Sequence, residues 1–131
     1  MPHTADIKFQ AFGKTLKELF ENSALALSNS IYDGKIKEIK KFKIKAKGHD
    51  FESLLYEFLE EFLVLFDDKH FILSKIKNLK LNEGKLEIEA EVTGDEVGNY
   101  ETSMHIKAIT YNEMFVKEDK EGWTSQVVLD I

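Results

Sequence analysis

Gly13-Lys14-Thr15 stands between an alternating stretch and a helical one and carries the ending of a phosphate-binding loop. Such a loop needs an earlier glycine where Lys8 stands, because without it too few backbone amides converge on a phosphate. The tripeptide therefore reads as a turn followed by a helix cap. Lysine fills seven of the thirteen positions from Lys35 to Lys47, interleaved with Ile36, Ile39, Phe42 and Ile44. RNA contact is one chemistry open to that run. The favoured reading is protection of a solvated or edge strand against sheet-to-sheet pairing. Glu52, Glu57, Glu60 and Glu61 mark the polar side of a helix with no lysine between Lys47 and Lys69, which suits plain solvation or the docking of a basic partner. His105, Lys107, Ile109 and Tyr111 share one face of a strand by parity, as the lining of a polar site or as an ordinary mixed surface. At the two ends, Asp6 in His3-Thr4-Ala5-Asp6-Ile7 and Asp130 in Leu129-Asp130-Ile131 bring carboxylates that meet only if the terminal segments lie together. Capping by Asp6 and simple exposure of Asp130 are the alternatives.

Composition removes several classes of chemistry. Cysteine is absent, so a disulfide framework, a thiolate nucleophile and a Cys-type zinc site are unavailable. No serine lies in a nucleophile elbow, and no His-Glu zinc helix occurs. All 18 basic residues are lysine, so the planar fork that grips phosphate in two places is missing. A net charge of −6 argues against a general nucleic-acid binder. The 131 residues, 43% hydrophobic with 10 Phe, 4 Tyr and 1 Trp, suffice for one core and one domain spanning 1–131. With no secretory signal pattern and no apolar run near the ~18 residues of a membrane span, a soluble cytoplasmic protein is expected.

Periodicity then supplies the elements that must position these residues. Ile7, Phe9 and Ala11 alternate with polar neighbours and predict a strand. Thr15 and Glu18 have capping-box spacing, predicting a helix to about Ile31 with Leu16, Leu19, Phe20, Leu27 and Ile31 buried and a stop at Asp33-Gly34. Phe42 to Ala46 predicts a strand with one wet face. From Phe51 to Phe66 large apolar residues recur at i, i+3, i+4 and i+7, which predicts a helix from Asp50 to Asp67 at the centre of the core. Strands follow from Phe71 to Ile76 and on through Leu81, with a turn at Asn82-Glu83-Gly84 and a partner from Leu86 to Val92. Met104 to Tyr111, Met114 to Lys117 and Trp123 to Leu129 continue the sheet. The expected class is α+β, two helices packed on one face of a mixed, largely antiparallel β-sheet.

Several segments, in this order, carry a resemblance: His3-Thr4-Ala5-Asp6-Ile7, Phe12-Gly13-Lys14-Thr15-Leu16, Glu52-Ser53-Leu54-Leu55-Tyr56, Lys107-Ala108-Ile109-Thr110-Tyr111 and the ending Asp130-Ile131. Each is short, but together they span essentially the whole chain, which resembles the archease family. Pro2 and Asn112 stand where family members commonly carry an acidic residue and a histidine, and Gly98 to Thr102 lacks the histidine often found there. These departures weigh against a histidine role near that strand.

The resemblance implies an accessory protein of the tRNA-splicing RNA ligase, which joins exon halves through a guanylylated histidine. The accessory chain would promote guanylylation and multiple turnover of the ligase catalytic subunit without being an enzyme itself, and direct RNA binding would not dominate. It also implies a divalent-cation site at Asp6, Asp130 and the carboxylate of Ile131, with His3, Lys107 and Tyr111 as supporting or partner contacts. Oxygen ligands of irregular geometry favour calcium, with magnesium or manganese as alternatives. A general chaperone or modulator of RNA-modifying enzymes and a stand-alone metal hydrolase are the competing readings. The scarcity of acid-base groups beside the carboxylates tells against the hydrolase.

Overall fold

Local caps set the two helices. The structure, a computed structural model, describes residues 6–131. Strand β1 (Asp6–Gly13) leads into helix α1 (Leu16–Ile31). There the Thr15 hydroxyl accepts the Glu18 amide at 3.1 Å and the Glu18 carboxylate accepts the Lys14 amide at 3.2 Å. The reciprocal bond of the expected capping box is thus made one residue earlier than Thr15. Gly13 is needed in this turn, because a Cβ there would lie 2.4 Å from the Leu19 backbone nitrogen. The sequence is a turn and a cap, not a phosphate loop.

Strand β2 (Lys40–Lys47) precedes helix α2 (Phe51–Lys69), which Asp50 and Ser53 open with a complete capping box. The Ser53 amide donates to Asp50 Oδ1 at 2.7 Å and the Asp50 amide to Ser53 Oγ at 3.1 Å. Strands β3 (Phe71–Asn82) and β4 (Glu87–Glu96) form the expected hairpin. A single 3-10 turn (Val97–Asn99) follows, and strands β5 (Ala108–Asp119) and β6 (Gly122–Asp130) complete the chain.

The class is α+β, as expected, but the strands divide into two three-stranded sheets, β1-β6-β5 and β2-β4-β3. Every pairing is antiparallel, where one mixed sheet was expected. Each helix touches strands of both sheets, so α1 and α2 form the layer the sheets share. The predicted α1 stripe is buried in full, and Ser23, Ala24 and Ser28 join it. Ser23 and Ser28 are tolerated there because their hydroxyls meet Ser125 Oγ at 2.9 Å and the Leu73 carbonyl at 2.8 Å. On α2, Leu54, Leu55, Phe58, Leu59, Phe62 and Leu63 are buried, whereas Phe51 and Phe66 at the ends are half-buried. Phe20 and Phe58 join the helices with ring centroids 5.9 Å apart. None of the described helices is long and apolar enough to cross a membrane.

Candidate carboxylate site on the terminal strands

The pairing of the terminal strands decides where the chain-end carboxylates go. β1 runs antiparallel to β6 in unbroken register from Asp6↔Asp130 to Gly13↔Trp123. Ile7, Phe9, Val127 and Leu129 pack against the core. Strand alternation therefore turns Asp6, Lys8 and Gln10, with Asp130, Val128 and Gln126 opposite them, to the other face. Asp6 and Asp130 are direct cross-strand partners on that face. β6 is central, and its far side pairs Ala108 with Asp130.

Two carboxylates set directly opposite each other repel. Asp130 Oδ1 is in addition buried, and among the described residues no donor reaches it. A buried acceptor left unpaired carries the full cost of desolvation, so this pair suits a hard cation, which would supply both the missing contact and the missing charge. Among the described residues no group of three or more His, Asp or Glu side chains is arranged to hold a metal ion. A cation here would therefore take the chain-end carboxylate of Ile131, main-chain oxygen or water besides Asp6 and Asp130. Ile131 follows directly and is half-buried against the core. His3 lies outside the described residues.

The other predicted positions divide. Lys107 reaches the site through its backbone, its amide donating to the Asp130 carbonyl at 2.8 Å, and its side chain is exposed. Tyr111 sits elsewhere, its ring stacked on Tyr56 of α2 with centroids 4.3 Å apart and planes 8° from parallel. Burial raises the Tyr111 phenol above its ordinary pKa, and Glu57, Tyr56 and Asp50 push it the same way. The expected shared face of His105, Lys107, Ile109 and Tyr111 does not form. The ladder begins only at Ala108, and Ile109 is 2% exposed while Tyr111 is 52% exposed. His105 lies instead near the Phe66 ring, at 6.1 Å.

Sequence reasoning missed Glu113. Between Thr110 and Phe115 the β5 register shifts, and Glu113 takes φ 53, a left-handed conformation unusual for a residue with a side chain. This irregular stretch reaches onto the carboxylate-bearing face, where Lys8 Nζ meets Glu113 Oε1 at 3.2 Å and Gln126 Nε2 donates to the Glu113 carbonyl at 2.8 Å. The available signal was the polar run Asn112-Glu113, which breaks the alternation on either side of it.

Comparison with known proteins places the chain and its fold. The model of the Archease protein family matches residues 1–131. Protein archease of Methanosarcina acetivorans is 39% identical over 136 residues, covering 100% of this chain and 93% of its own length. That of Pyrococcus furiosus is 37% identical over 134 residues, covering 98% and 94%. The solution structure of Methanobacterium thermoautotrophicum protein 1598 aligns with a TM-score of 0.77 at 30% identity, covering 100% of this chain and 96% of that one. A Thermotoga maritima crystal structure, described as "an archease, possible chaperone", shares the fold with a TM-score of 0.70 at 20% identity, covering 100% and 94%. The two helices shared between two antiparallel sheets are thus the fold of archease structures. This chain belongs to the archease family.

Proposed function

We propose that this archease acts as an accessory activator of the tRNA-splicing RNA ligase, promoting guanylylation and multiple turnover of the ligase catalytic subunit. Family membership supports the accessory role. The observation that carries the site is the buried, unpartnered Asp130 Oδ1 directly across the strand pair from Asp6. In this reading Asp6, Asp130 and the Ile131 carboxylate hold a divalent cation. Calcium fits because its coordination tolerates irregular oxygen geometry and several waters, and magnesium or manganese is the alternative. When bound, the cation would supply positive charge that offsets the paired carboxylates and would be available to stabilise negative charge on the partner's substrate.

The chain's own residues do the positioning. The β1–β6 register sets Asp6 against Asp130. The Lys107 amide fixes the Asp130 backbone against β5, and the Lys8–Glu113 pair flanks the same face. With both terminal strands tied at this point, segments that would otherwise fray become one rigid docking surface.

Ligation of cyclic-phosphate RNA by the cognate ligase, under multiple turnover, tests the proposal alongside calorimetric titration with calcium. Wild type should raise turnover at substoichiometric amounts and bind the cation, whereas Asp6→Ala and Asp130→Ala should lose both. Unchanged turnover with wild type would defeat the activator reading. Full stimulation by both variants, or undiminished calcium binding by them, would defeat only the metal's part.

A further inference from the structure

We propose that the open edge of β2 is a docking site for an extended acidic segment of a partner protein, added as a further strand with Glu or Asp opposite Lys41, Lys43, Lys45 and Lys47. β2 lies at the margin of its sheet, in the order β2-β4-β3. The phase of its hydrogen bonding follows from one bond just past its end. The Gly48 amide donates to the Leu86 carbonyl at 2.9 Å, which continues the register Ala46↔Ile88, Ile44↔Ala90 and Phe42↔Val92. Bonded and non-bonded pairs alternate along an antiparallel ladder. The intervening residues, Lys41, Lys43, Lys45 and Lys47, therefore direct their backbone amides and carbonyls away from β4, toward the free edge.

Charge says what belongs there. Across the outward face the strands alternate in sign, with Glu91 of β4 between Lys43 of β2 and Lys77 of β3, and Glu89 between Lys45 and Lys80. Lys41 and Lys45 lean inward to Glu91 at 3.1 Å and Glu89 at 3.9 Å. Lys43 and Lys47 are exposed, and among the described residues they take part in none of the ion pairs. An acidic strand continues the alternation and meets a complete set of free backbone donors and acceptors, the addition mode that gives affinity through main-chain bonds and selectivity through alternate side chains.

The same pattern rejects the other occupants. A second copy adding edge to edge would lay lysine against lysine. Nucleic acid would meet a row of glutamates between the lysine rows, with no arginine in the chain to grip its phosphates in two places. Neither Asp6 nor Asp130 enters the proposal, so it stands apart from the cation site.

The test titrates the isotope-labelled full chain with a short peptide alternating Glu and Val, followed by NMR and amide hydrogen exchange. Saturable binding that weakens with salt, with slowed exchange at the Lys43 and Lys45 amides, is expected. The double variant Lys43→Glu with Lys47→Glu changes two exposed residues outside the core. It should bind that peptide about tenfold or more less tightly and accept a Lys-Val peptide in its place. Absence of saturable binding, or binding that leaves the edge amides exchanging as before, would overturn the proposal. So would protection of those amides by single-stranded RNA but not by the acidic peptide.

Discussion

On the β2-β4-β3 sheet the outward glutamates Glu89 and Glu91 of β4 each lie between two lysines, and Glu38 in the preceding loop meets Lys75 at 3.4 Å and Lys77 at 3.1 Å. On the outer side of α2, Glu57, Glu60, Glu61 and Asp67 form no ion pair among the described residues. The two surfaces titrate in opposite directions as a result. A hydrogen bond from the Thr93 hydroxyl, followed by one from Lys77, lowers Glu38 from 4.5 to about 2, and Lys41 lowers Glu91. Burial first, and then repulsion from Glu57, raises Glu60 and Glu61. The difference lies in how each element spaces its neighbours. Cross-strand register can set opposite charges side by side from distant parts of the chain, whereas a helix places whatever the local sequence holds at i+3 and i+4, here carboxylate beside carboxylate.

The comparison implies that α2 is held by its inner face and the sheet by both faces. Phe58 is fully buried under α2, so Phe58→Ala should cost about 3–5 kcal/mol in urea unfolding. By contrast, Lys43→Ala on the open edge should stay within about 0.5 kcal/mol. Similar costs for the two would erase the distinction. The inner face of the sheet is also tightly filled. A Cβ on Gly94 would lie 2.0 Å from the Ile72 carbonyl oxygen and 2.7 Å from the Phe71 ring, so Gly94→Ala should cost at least about 1–3 kcal/mol, read as a lowered melting temperature.

Acid titration separates the outer faces directly. A carboxylate whose folded pKa is depressed contributes stability that is present above its unfolded value and lost as pH falls through the folded one. The stability difference between wild type and Glu38→Gln should therefore be full above pH 4.5 and fade as pH falls toward about 2. Glu60 and Glu61 behave in reverse, because folding disfavours their ionised forms. Replacing both with Gln should stabilise the protein at neutral pH, and the gain should vanish on acidification through their raised folded values. The same sign for both sets of variants across the acid range would refute the contrast. A small gain is expected from Glu61→Lys, which turns the like-charged pair with Glu57 into an i, i+4 ion pair and should add about 0.2–0.5 kcal/mol to stability, read by urea unfolding.

The apolar repeat along α2, the cap at Thr15, the β3–β4 hairpin and the strand character of the lysine-rich run were all legible in the sequence. Each rests on residues close in the chain, where side-chain spacing alone selects helix or strand. The division into two sheets, the late start of β5 at Ala108 and the inward turn of Ile109 were not legible, because alternation marks a strand without naming its neighbour or its register. The candidate site shows the same limit. The carboxylates of Asp6 and Asp130 were visible as residues, but only the antiparallel pairing of the first and last strands sets them opposite each other and leaves Asp130 Oδ1 buried without a donor. The backbone phase of β2 likewise depends on its contact with β4, including one hydrogen bond from Gly48 to Leu86. Local chemistry determined which residues could carry charge, turn the chain or bury themselves. Contacts between distant segments, which depend on the packing of the whole core, decided which of those residues meet.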